Sequence, residues 1–177
     1  MKNVTTIILS ISSILLSCSK NNTTQDIIIT NDINMESRPL NFDVSRRESN
    51  AHNGSYYSSV DSVNQYGIGY EYILDDSLKS KNITVYVSCW VRESQEPIQG
   101  EVNVGLSNST GIIQWHGISI KNKNYKPGEW EKITDTIFYP KDVLNDKIIK
   151  IGVVAIKSKG SDTFDVDDLQ IKYRFSN

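Results

Sequence analysis

The chain has 177 residues, of which 38% are hydrophobic and 23% charged, and its formal net charge is −2. That length can bury a proper core in a single domain. With 19 basic against 21 acidic residues and no basic stripe, nucleic acid is not an expected partner. From the N-terminus, Met1-Lys2 precedes the apolar run Ile7–Leu16. The run is shorter than the roughly 20 residues a membrane-spanning helix needs, but it suits a secretory signal.

That run ends at Leu15-Leu-Ser-Cys18, which resembles a bacterial lipobox. On this reading residues 1–17 are a signal peptide. Cys18 carries the lipid, begins the mature chain and anchors it in the cell envelope, expectedly at the outer membrane. Several acyl chains hold stably where one is marginal. The alternative is an ordinary signal peptide with an incidental cysteine. Lipidation of Cys18 leaves Cys89 without a partner, so no disulfide framework is expected. Cys89 shares the phase of Val85, Val87 and Val91, which reads as a buried small hydrophobe.

Residues 18–37 are polar and read as a lipidated cysteine plus tether, with the domain proper at 38–177. Asp26-Ile-Ile-Ile-Thr30 fits either that tether or an added edge strand. Strand signals then fall at roughly 39–44, 55–60, 67–74, 82–92, 100–106, 111–120, 130–138, 147–157 and 163–174. Turn clusters lie between them, among them Asn53-Gly54, Asp75-Asp76, Asn108-Ser109, Asn124–Gly128 and Lys159-Gly160. The pattern predicts an all-β, double-sheet jelly-roll sandwich.

In the last strand, Phe164 and Val166 share one parity, while Leu169, Ile171 and Tyr173 share the other. The slip falls at Asp167-Asp168 and predicts a β-bulge or a new strand segment. Asp167 has the parity of Leu169 and is expected to lean toward the packed face, where a carboxylate needs a donor, a base or a cation.

Val166-Asp-Asp-Leu169 at the end of an all-β chain resembles the last strand of galactose-binding-like jelly rolls, the superfamily of many carbohydrate-binding modules. Asn41-Phe-Asp43, Ala51-His-Asn-Gly-Ser-Tyr-Tyr57, Lys126-Pro-Gly-Glu-Trp130 and Phe138-Tyr-Pro140 resemble its other motifs in order and spacing, over roughly residues 38–175. The resemblance implies a structural calcium held by the side chains of Asp43 and Asp167 and by backbone carbonyls around Asn53 to Ser55, since hard cations take oxygen ligands. Without a metal, Asp167 is a hydrogen-bonded carboxylate at a strand end. The resemblance also implies glycan binding.

Sugar sites combine aromatic walls with a few polar groups. In Ile83–Arg92 the face of Tyr86, Ser88, Trp90 and Arg92 has that mixture, and Gln114, Trp115 and His116 are expected beside it, with Tyr70 and Tyr72 as further candidates. The competing reading has Trp90, Trp115 and Trp130 filling the sandwich, and for Trp130 that reading leads. Catalysis has little support: the two histidines sit in no metal-spacing motif, there is no G-x-S-x-G, and no carboxylate pair stands out across a cleft. The expectation is a non-catalytic envelope lipoprotein that binds a glycan. The alternative is an assembly lipoprotein that binds a partner protein. Asp61-Ser-Val63, Asp76-Ser-Leu78 and Asp135-Thr-Ile137 also resemble the glycosylation acceptor of Bacteroidota-type exported proteins.

Overall fold

The computed structural model describes residues 26–33, 35–37, 45–48, 50–95, 99–143, 148–157 and 163–177. Cys18, Asp43 and the strand expected at 39–44 lie outside them. Among the described residues ten strands run in chain order: β1 (Ile27–Ile33), β2 (Arg46–Glu48), β3 (Tyr56–Val60), β4 (Tyr66–Ile73), β5 (Asn82–Glu93), β6 (Gly100–Asn108), β7 (Gly111–Ile118), β8 (Glu131–Tyr139), β9 (Lys150–Lys157) and β10 (Phe164–Ser176). Among the described residues there is no α-helix, only short 3₁₀ turns at Met35–Ser37 and Asp76–Leu78.

The strands make two antiparallel sheets. The larger has the order β2-β3-β10-β5-β8, and the smaller β4-β9-β6-β7. Alternation decides what lies between them. From β5 come Ile83, Val85, Val87, Cys89 and Val91; from β6 and β9 come Val102, Val104, Leu106, Ile151, Val153 and Ala155, all at most 2% exposed. Burial pushes the Cys89 thiol up to about 12, so the residue packs and does not react.

The long strand β10 is the axis of the larger sheet. It pairs with β5 along one edge; along the other, β3 takes residues 164–166 and β1 takes 169–175. The change of partner coincides with the bulge: Trp90 faces Asp167 and Ser88 faces Gln170, so β10 carries one extra residue, and Asp168 sits at φ 49°. The extra residue absorbs the phase slip. Asp167 therefore keeps the parity of Asp165 and turns to the outer face, opposite to the expectation from its parity with Leu169.

Residues 27–33 and 35–37, within the span read as tether apart from the edge-strand alternative for the Ile run, belong to the sandwich. Ile29 and Ile33 pack on the core and Met35 is fully buried. The Ile run is the added edge strand. At one end of the core, Glu93 and Lys157 form a fully buried ion pair. The amides of Gln99 and Gly100 also donate to the Glu93 carboxylate. Both charges sit in core-facing phase, Glu93 after Val91 and Lys157 after Ala155, and each satisfies the other.

Candidate functional site

The outer faces of the two sheets differ. On the larger sheet, the loop at 50–53 folds over the strands. Asp167 Oδ2 accepts the amides of His52 at 3.0 Å and Asn53 at 3.1 Å, and its Oδ1 accepts that of Asp168 at 2.8 Å. His52 is thereby laid flat on Trp90, with centroids 3.8 Å apart at 14°, while its Nδ1 meets Asp168 Oδ2 at 3.0 Å. Trp130 stands edge-on to His52 and donates its Nε1 hydrogen to Asn50 O. Arg92 lies over Trp130 at 4.4 Å and donates from Nε and Nη2 to Asp165, which Ser59 also serves. Further along, Lys172 covers the Tyr86 ring at 5.6 Å. The expected Tyr86, Trp90 and Arg92 face is thus largely committed to contacts within the molecule.

The same contacts bear on the metal. Asp167 takes the amides of His52, Asn53 and Asp168, donors that satisfy a carboxylate without a metal, while Asp43, the other expected side-chain ligand, lies outside the described residues. Among the described residues no cluster of three or more His, Cys, Asp or Glu side chains forms. Burial raises the Asp167 carboxyl above its ordinary value, and the three amides counter that shift.

Gln114, Trp115 and His116 are not beside Trp90. They lie on β7, at the edge of the smaller sheet, because β7 pairs with β6 whereas β5 pairs with β8. Tyr70 and Tyr72 are on that sheet too, packed against the core, Tyr72 with its ring 5.3 Å from Tyr173. His116 reaches across the open side of the sandwich to Asp135 of β8, Nε2 to Oδ2 at 3.0 Å. Burial opposes the charged form of Asp135, but the bonds from His116 and the Thr136 amide hold its carboxyl below the ordinary value.

Trp115 instead borders a groove. Strand register lays out its rows across β4, β9, β6 and β7: Ile73, Lys150, Ser107, Ile112; then Glu71, Gly152, Gly105, Trp115; then Gly69, Val154, Asn103, Gly117. The middle row has two adjacent glycines as its floor, with Trp115 on one bank and Glu71 on the other. A Cβ on Gly152 would meet nothing nearer than Glu71 Cγ at 3.9 Å. The floor is bare because no side chain is there, not because neighbours crowd it out. Together with Tyr66 at the far corner, these strands enclose an open cleft of about 930 Å³. Trp115 is 62% and Tyr66 54% exposed. Asn103, only 8% exposed, donates to Glu101 Oε1, while its own Oδ1 finds no donor. Lys150 and Glu71 pair at 2.6 Å on the rim.

An apolar wall, a bare floor and a few polar groups are the make-up common to ligand grooves. Of the sequence-expected residues Trp115 and Tyr70 line it. Its floor was signalled only by isolated glycines at 69, 105 and 152 inside strand patterns, a mark of close backbone approach.

No family model matches the chain, and no curated protein does. Solved structures do match. The CBM22-2 xylan-binding domain of Paenibacillus barcinonensis Xyn10C aligns over 80% of this chain and 97% of its own, with TM-score 0.54 and 18% identity. The fold is a jelly-roll sandwich. The CBM22-1 xylan-binding domain of the same protein covers 88% of each chain at TM-score 0.47 and 14% identity. The VP2 subviral particle of infectious bursal disease virus matches at TM-score 0.49 and 9% identity, and this jelly roll spans 33% of that chain.

Proposed function

We propose that this chain is a non-catalytic, lipid-anchored envelope protein whose jelly roll binds a glycan in the groove of the smaller sheet. The observation that carries the reading is the glycine floor between Trp115 and Glu71. A sugar ring can lie against the sheet backbone there, with Trp115 over its C–H face and the Glu71–Lys150 pair on the rim within reach of its hydroxyls. An open-ended cleft suits an internal stretch of a linear polysaccharide. Xylan is the first ligand to test, since the fold is shared with a xylan-binding domain. The anchor rests on Cys18 and its lipobox-like setting.

Affinity electrophoresis across soluble polysaccharides, xylans included, tests the reading. The expected result is retardation by at least one linear glycan, lost in Trp115→Ala. Uniformly unretarded migration would favour the assembly role, in which a partner protein is bound and no sugar.

A further inference from the structure

We infer that one end of the sandwich rests in the lipid surface. The inference builds on the proposed Cys18 anchor and adds an orientation to it. β1 begins at Ile27 opposite Phe175, so the N-terminal segment enters beside the end of β10, the start of β5 and the ends of β4 and β8. The hydrogen bonds from Lys81 and Asn82 to Asn177 and from the Leu74 amide to Ile149 O gather those ends into one.

This end holds seven of the exposed large hydrophobics: Ile27 at 41%, Ile28 at 55%, Ile73 at 77%, Ile112 at 67%, Ile113 at 50%, Phe138 at 58% and Ile149 at 39%. Ile28 and Phe138 share a row on the outer face of the larger sheet, and Ile73 lies on the outer face of the smaller one. The apolar side chains therefore ring the end. A lone exposed isoleucine needs no explanation; a cluster on both faces of one end marks an interaction site.

The occupant follows from the tether. Eight residues, 19–26, separate Cys18 from Ile27. Fully extended, that stretch spans only about 30 Å. An anchored Cys18 holds this end against the bilayer at high effective concentration. Three of the cations at this end are already paired, Lys79 with Asp76, Lys150 with Glu71 and Arg174 with Asp26, while Lys81 bonds to Asn177 and Lys141 is exposed. The contact is apolar, with the aliphatic and aromatic residues entering the headgroup–acyl boundary.

The test uses the full chain, exported by a bacterial host, purified in detergent and reconstituted into vesicles of phosphatidylethanolamine and phosphatidylcholine containing brominated lipid. Bimane is placed at Phe138→Cys and Ile73→Cys, and at Val63→Cys in the β3–β4 turn of the opposite end; Cys89 is buried and does not label. Bromolipid quenching is expected at Phe138 and Ile73 and not at Val63. Ile28→Asp should lower the quenching at Phe138 while the anchored fraction stays constant. Absent quenching at Phe138 and Ile73 in chains whose mass proves acylation would overturn the inference, as would probes already shielded in detergent by a second copy. If the mass shows no acyl chains, the anchor reading fails by itself. The orientation is then read on chains whose Cys18 is coupled to a maleimide lipid, where the same quenching supports it and its absence overturns it.

Discussion

The two outer faces of this sandwich start from similar material and finish differently. Each carries a tryptophan, an ion pair and carboxylates on alternating strand positions. On the larger sheet the 50–53 loop, held by its amides on Asp167, lays His52 on Trp90 and closes the face. On the smaller sheet no such cover from the described residues sits over Trp115, and the middle positions are glycine. An aromatic residue in a strand does not announce a binding face. What decides is whether a loop elsewhere in the chain has already stacked on it.

Breaking the closed face should therefore cost stability and spare binding. Arg92→Ala leaves Asp165 buried, with only Ser59 to serve it among its present side-chain partners. Removing one partner of such a pair costs about 3 kcal/mol. For a domain of this size that lowers Tm by roughly 10 °C, readable by calorimetry, with glycan retardation unchanged at a temperature where the variant is folded. The open face should respond the other way. Trp115→Ala removes an exposed ring and should move stability by no more than about 0.5 kcal/mol. Its affinity for the retarding glycan should fall about tenfold, as for a truncated interface anchor.

A smaller effect belongs to the seam between the sheets. Asp135 is held below its ordinary 3.8 by His116 and the Thr136 amide, so the folded state favours its ionised form. The stability it contributes is present above that value and is lost as pH falls through the lowered one. Asp135→Asn should flatten the acid limb of the stability curve below about pH 4, measured by urea unfolding at stepped pH. The smallest expected effect is none. With three amides already satisfying Asp167, Tm should ignore both EDTA and millimolar calcium. A calcium-dependent rise of several degrees would restore the metal site.

Much of the fold was legible because alternation leaves little freedom. Val85 to Val91 and Leu169 to Phe175 allow one buried face each, and the slip between Val166 and Leu169 located the bulge. Which way Asp167 turns was not legible, because a bulge residue can be assigned to either phase until its partners, Trp90 and the His52 amide, are known. The Ile27–Ile29 run was ambiguous for a similar reason: an edge strand has one neighbour, and here that is β10, some 140 residues on. The site was harder still. Trp90 and Arg92 have the composition of a sugar face, but a ring stacked from position 52 uses it up. The actual groove is marked by side chains that are missing, at Gly105 and Gly152, and their side-by-side register emerges only once β6 and β9 pair.

The most direct test compares Gly152→Leu with Trp90→Phe. Space above Gly152 is open and its φ is not in the left-handed region, so leucine fits the strand and leaves Tm within a few degrees. In gels containing the polysaccharide that retards the wild type, Gly152→Leu should migrate as if no ligand were present, whereas Trp90→Phe should be retarded like the wild type. Retardation that survives Gly152→Leu but is lost in a folded Trp90→Phe would place the ligand on the larger sheet and contradict the account.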